Sequence, residues 1–289
     1  MDKTFILARR LWYPQVTPKM SAFWIRVPPF GTIYMILAYF VFIIVLGFID
    51  VEASAVQYWT LLGIRAGWLA AAQIPLIVLL AGKNSLISLL TGVSYERLNV
   101  FHRWIARGLL LLATFHFAFL STSWDRYGLT RLEWATDTAP PTGIAAYAIL
   151  LWINLSTIAP LRHLSYEFFV VQHILTFFGF IIALAMHIPG SAKYARVWVY
   201  IASALYLAER LVYAIRFAWT NIRPGRTTLE ALDGRVTRLR VSSRQIKNWA
   251  PGTHVLLMIP RFGLVQSHPA TIMSTPTSHG GDMVFLLRA

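Results

Sequence analysis

Cysteine is absent from the 289 residues. Disulfides, thiolate zinc sites, iron–sulfur clusters and a covalently tethered c-type haem are therefore excluded. Any metal must be held by histidine or carboxylate. Acids are scarce: 12 Asp and Glu stand against 26 Lys and Arg, a formal charge of +14. The first 30 residues lack the apolar core of a cleavable signal peptide and are interrupted by Pro14, Pro18, Pro28 and Pro29. No repeat of 20–50 residues is visible, which excludes solenoid and propeller arrays.

Apolar surface is abundant instead. Hydrophobic residues make up 57% of the chain, with 11 Trp, 12 Tyr and 18 Phe. They gather in six runs, at 31–49, 60–82, 99–121, 142–161, 166–188 and 195–218. Each run is near the ~20 residues that cross a bilayer as a helix, and lipid leaves the backbone no other choice, since it satisfies no hydrogen bonds. A kink is expected at Pro75 in the second run.

The basic excess follows the same geometry. With a cytoplasmic N-terminus, the inner segments carry fourteen basic residues between Lys3 and Arg226. The outer ones carry five: Arg65, Arg126, Arg131, Lys193 and Arg196. That asymmetry puts both ends of the bundle in the cytoplasm. It accounts for the charge by lipid topology and requires no nucleic acid.

After Asn221 the chain turns polar, with glycine turns and short alternating runs. "RVTRLRV", "THVLLMIP" and "MVFLLR" read as strands separated by "RFG" and by a Ser/Thr/Pro/Gly-rich loop. This is the start of an antiparallel β domain, and a barrel needs more strands to close. The expected organisation is a cytoplasmic segment over 1–29, a six-helix membrane domain over 30–220 and a partial β domain over 221–289. The sequence reads as truncated relative to a longer protein.

Four of the eight histidines fall within the apolar runs: His102 and His116 in the third, His173 and His187 in the fifth. Both intervals are fourteen residues (116 − 102 and 187 − 173). Fourteen residues are nearly four turns, so each pair shares one helix face, ~21 Å apart along the axis. Both runs point the same way, so His102 can face His173 and His116 can face His187, each pair bracketing one metalloporphyrin. Two ligands leave the iron no open position, which suits electron transfer better than oxygen binding. Outward electron flow gains about 2.3 kcal/mol per 100 mV of inside-negative potential. The competing reading is a set of core histidines hydrogen-bonded within a bundle, although polar groups in lipid are costly. A di-metal cluster is disfavoured, since no acid stands beside the histidines. His163 lies at a run boundary, out of register, and reads as structural or at most as close to a haem edge. Arg103 and Arg107 suit either haem propionates or plain positive-inside charge. Arg162 fits the latter.

"LTGVSYERLNVFHRWIARGLLLLATFH" and "YEFFVVQHILTFFGFIIALAMH" resemble the third and fifth helices of fungal ferric reductases and their NADPH oxidase relatives. The thirteen-residue gap in both pairs is closer to the ferric reductases. The resemblance extends from about residue 30 onward. It implies two b-type haems on His102, His116, His173 and His187, and a flavin-binding β-barrel after the sixth helix. The barrel's signature there is His-Pro-Phe-Thr or -Ser. Here it reads His268-Pro269-Ala270-Thr271, with Ala270 in place of the aromatic. By that resemblance Thr271 meets the flavin ring, His268 and Pro269 help hold and present FAD, and Arg288 meets its phosphates. Taken alone, "HPAT" reads equally well as a simple turn. The glycine-rich NADPH loop of that family is not found in the sequence, so a further domain or a partner subunit is expected to supply it.

The resemblance thus implies a plasma-membrane oxidoreductase for iron uptake, passing electrons from NADPH through FAD and haem to extracellular ferric or cupric chelates. The alternatives are a superoxide-generating NADPH oxidase, a non-redox transporter with buried histidines, and a relay of the cytochrome b561 kind.

Overall fold

The computed structural model describes Trp12 and residues 28–222, 225–250, 252–258 and 268–288. The expected N-terminal segment and the "RFG" loop lie almost wholly outside the described residues, as do the side chains of His163, His268 and Arg288. The chain divides into two compact units, Met1–Glu209 and Arg210–Ala289.

In the first unit each apolar run becomes a helix. The chain runs α1 (Phe30–Phe48), α2 (Tyr58–Ala81), α3 (Leu86–Thr91), α4 (Tyr95–Arg126), α5 (Thr130–Thr136), α6 (Ala139–Ser156), α7 (Ala159–Leu164) and α8 (Tyr166–His187). A 3₁₀ turn (Gly190–Ala195) then leads into α9 (Arg196–Asn221). Among the described residues five helical segments are long and apolar enough to cross a membrane: α1, α2, α4, α8 and the stretch Gly190–Asn221. The fourth run forms α6, 18 residues long, opening on Pro140 and Pro141. It stops at Ser156, and the remainder of the run restarts as α7 with Pro160 in its first turn. Proline is favoured in a first turn, where no intrahelical N–H is required. α2 nonetheless continues through Pro75, well inside it, as one helix.

Local signals set several helix ends. Ser165 caps α8 by accepting from the Phe168 amide at 3.4 Å, with Glu167 in the first turn. Ser85 caps α3 from the Ile87 amide, and Gly92 ends it in the left-handed conformation that glycine adopts without strain. α4 starts at Ser94 with Glu96 against the positive end of the helix dipole.

The main helix pairings are α2 with α4 and α6 with α8. One buried cluster joins Ile43, Ile74, Leu109, Leu112, Leu150, Ile153 and Phe180 with the small residues Ala70, Ala146 and Ala202. Small residues let helices approach closely where lipid offers no hydrophobic drive between them.

In the second unit β1 (Arg226–Leu232), β2 (Val236–Ser242) and β5 (Met283–Arg288) form an antiparallel sheet in the order β1-β2-β5. The β1–β2 hairpin closes around Gly234, at φ 77°. β3 (His254–Leu257) pairs antiparallel with β4 (His268–Thr271). Leu239, Ala270, Ile272, Met283 and Phe285 share one core. The three expected strands are present, and β1 joins them. "HPAT" is a strand, not a turn. β4 has β3 as its one described neighbour, and such an edge accepts Pro269, which has no amide to donate. Ala270 is buried in the core.

Candidate functional site

α4 carries His102 and His116, and α8 carries His173 and His187. The structure brings them together as their spacing predicts. The His102 and His173 ring centroids are 6.3 Å apart, and those of His116 and His187 are 5.7 Å apart. Two imidazoles on opposite sides of one metal, each bonded at ~2.0–2.1 Å, place their centroids about 6.3 Å apart. Both pairs are within reach of that value.

The ring nitrogens divide their work. Nδ1 of His102 meets the Ile77 carbonyl at 2.9 Å, Nδ1 of His116 the Gly63 carbonyl at 2.7 Å, and Nδ1 of His187 the Ala139 carbonyl at 2.8 Å. A carbonyl can only accept, so Nδ1 carries the proton and Nε2 keeps a free lone pair, the state a metal requires. His173 differs. Its Nδ1 is buried with no hydrogen-bond partner among the described residues, and its ring lies 5.4 Å from that of Phe169.

Leu109 and Phe180 are both buried, and each lies seven residues beyond the first histidine of its helix. Seven residues are nearly two turns, so both sit at mid-height on the histidine faces. Around the second level opens a cavity of about 510 Å³, within the ~300–1,000 Å³ usual for cofactor pockets. His116 and His187 line it with Trp68, Phe117, Trp124 and Tyr147. Tyr147 also shares a hydrogen bond with Thr114 at 3.0 Å. Among the described residues no group of three or more His, Asp or Glu gathers to hold a bare metal ion. The donor set is thus two imidazole pairs, each beside apolar walls.

The arginines sort differently. Arg103 is half-buried on α4, while Arg107 is exposed and lies over the Trp104 ring at 4.6 Å. Arg162 is partly exposed on α7. In the β unit, Pro269 and Thr271 are exposed on β4, with Thr271 opposite His254. Arg288 ends β5 opposite Val236, in the other sheet. Sequence reasoning missed the carbonyls of Gly63, Ile77 and Ala139. Every peptide has a carbonyl, and only packing decides which one meets a ring.

Residues 66–184 match the family described as ferric reductase like transmembrane component. The match includes His102, His116 and His173 and ends three residues before His187. The chain is 30% identical to a probable cell surface ferric reductase of Aspergillus oryzae, over 95% of this chain and 38% of that protein. It is 27% identical to ferric/cupric reductase transmembrane component 2 of Saccharomyces cerevisiae, over 78% of this chain and 31% of that protein. To ferric reductase transmembrane component 3 of the same yeast it is 28% identical, over 77% and 31%. The chain spans about a third of the length of these relatives. The resemblance to fungal ferric reductases read from the helix motifs is borne out.

Proposed function

We propose that this chain is the membrane component of a metalloreductase, taking electrons from a cytosolic donor to ferric or cupric chelates outside the cell. The observation that carries the reading is the pair of facing imidazole couples, at 6.3 and 5.7 Å, fourteen residues apart on two helices. His102 and His173 would hold an inner b-type haem, and His116 and His187 an outer one. When bound, haem would supply a one-electron carrier.

The chain's own groups do the placing. The carbonyls of Ile77, Gly63 and Ala139 fix the tautomer and ring direction of three ligands. Leu109 and Phe180 keep the space between the levels apolar and dry. Arg103, half-buried one residue beyond His102, is placed for an inner propionate, and Arg107 is a second candidate from the same helix.

The reading extends to orientation and domains. α6 serves as the sixth span, beside α8. Both ends of the 30–220 bundle face the cytoplasm of the plasma membrane. Residues 221–289 would begin a flavin-binding barrel, in which Thr271, His268, Pro269 and Arg288 would hold FAD, the carrier between a two-electron donor and the one-electron haems. NADPH would bind outside these residues.

The test is a reduced-minus-oxidised spectrum of the purified chain with a haem-to-protein ratio. Two b-type haems per chain are expected. A chain with no Soret band after haem supplementation overturns the reading in favour of a non-redox membrane protein. Surface dye reduction sensitive to superoxide dismutase would instead identify oxygen as acceptor.

A further inference from the structure

Two glycines lie against the second pair of histidines in the same way. A Cβ on Gly67 would stand 2.7 Å from Nδ1 and 2.9 Å from Cε1 of His116. A Cβ on Gly143 would stand 2.7 Å from both Nδ1 and Cε1 of His187. A Cβ essentially never approaches a neighbouring heavy atom this closely, so something would have to shift. The two rings rest on backbone that is open only because a side chain is missing.

The hydrogen bonds show what moving a ring aside would cost. The carbonyl that holds His116 belongs to Gly63, four residues before Gly67 in α2. The carbonyl that holds His187 belongs to Ala139, four residues before Gly143 in α6. In an α-helix the amide of residue i bonds the carbonyl of residue i − 4. Each carbonyl therefore serves both the glycine's amide and the imidazole, and that of Ala139 also accepts from the Thr142 hydroxyl at 3.1 Å. Each ring is tethered to the start of a single helical turn and touches the glycine at its end. A methyl group at the glycine pushes the ring off its tether and turns Nε2.

The first pair lacks this seat. The carbonyl that holds His102 is that of Ile77, and the residue four further on is Ala81. Among the described residues His173 Nδ1 has no hydrogen-bond partner.

We propose that Gly67 and Gly143 are positioning residues for the outer haem, each forming with the carbonyl one turn earlier a seat that fixes the axial imidazole. The inference rests on the haem reading above and deepens it. The glycines touch the ligands and not the metal, and they act at one level of the membrane only.

The experiment is Gly67→Ala and Gly143→Ala in the full chain, with Gly179→Ala as control. At Gly179 an added Cβ meets only Ile149, at an ordinary 3.7 Å. Haem content, the low-spin electron paramagnetic resonance signals and the midpoint potential of each haem are read on purified protein. Changes to groups that orient metal ligands cost about 10- to 100-fold in metal affinity. Each seat variant is therefore expected to lose outer haem or to shift its signal and potential. The inner haem stays unchanged and reports that the protein is folded. The control keeps both haems.

Unaltered outer signals and potential in both seat variants would overturn the proposal. So would equal loss of both haems from both seat variants while Gly179→Ala keeps two, because that marks a general packing defect. A wild-type protein that binds no haem would overturn the parent reading instead, and the two failures are thereby told apart.

Discussion

His116 and His187 face each other from α4 and α8 with ring centroids 5.7 Å apart, and each is tied at Nδ1 to a helix backbone, that of α2 or α6. Four helices thus converge on one pair of rings. In His116→Ala one ring vanishes while its carbonyl and its glycine remain. The outer haem band and ferric reduction at the cell surface should both be lost, with the inner haem retained. Normal reduction by a well-folded variant would show that these rings are not the outer ligands.

The inner level is built differently, and the difference is measurable as a potential. An imidazole whose Nδ1–H is hydrogen-bonded is more basic and favours the ferric state. The outer pair has two such rings, whereas the inner pair has only His102, with His173 unpartnered. The inner haem should be the easier to reduce, by about 59 mV for each tenfold difference in relative binding of the two oxidation states. A redox titration should resolve two waves, and His116→Ala should leave only the higher. Superimposed waves, or retention of the lower one, would refute the ordering.

The histidine geometry was legible in the sequence because it is periodic. A fourteen-residue interval repeated in two apolar runs of like direction fixes depth and facing without knowledge of tertiary structure. The strands around "RVTRLRV" and "MVFLLR" were readable for the same reason, by alternation. The fourth run was less legible: its length suggested one span, while Pro160 divides it into α6 and α7. The seats were not legible at all. Gly67 and Gly143 resemble any glycine in an apolar helix until the neighbouring ring is known. "HPAT" misled because proline is associated with turns, yet an edge strand tolerates it equally well.

In the β unit, Asp282 answers to Arg240, whose Nε donates to its carboxylate at 2.5 Å and whose Nη2 donates to the His279 carbonyl at 2.8 Å. That hydrogen bond, with help from the Ser242 hydroxyl, holds the Asp282 pKa below the usual carboxylate range. A depressed carboxylate stabilises the fold above its unfolded pKa, ~3.9, and that contribution fades as pH falls through the lower folded value. The protection factors of the β5 amides in the full chain, corrected for the intrinsic exchange rate at each pH, should therefore fall on acidification below about pH 4. Asp282→Asn should exchange faster at neutral pH and lose that part of the pH dependence. An identical profile in the variant would mean that the ion pair contributes nothing to β5.

The last prediction concerns the residue next to the unanchored ligand. Gln172 bridges α6 and α8: Trp152 Nε1–H donates to its Oε1 at 2.9 Å, and its Nε2 donates to the buried Ser156 hydroxyl at 3.0 Å. Hydrogen bonds between membrane helices average ~0.6 kcal/mol and reach ~1.7 kcal/mol, so Gln172→Leu should cost about 1–2 kcal/mol. Ser156→Ala should cost less, since it removes only one of the two bonds, and the two changes should couple in a double-mutant cycle. His173 follows Gln172 directly and has no carbonyl of its own to hold it, so loosening this bridge should release the inner haem first. Thermal unfolding in detergent, followed at the two haem bands, should show the inner band lost earlier in Gln172→Leu than in the wild type. Simultaneous loss at an unchanged midpoint would mean that His173 is held by packing against Phe169 and not by the α6–α8 bridge.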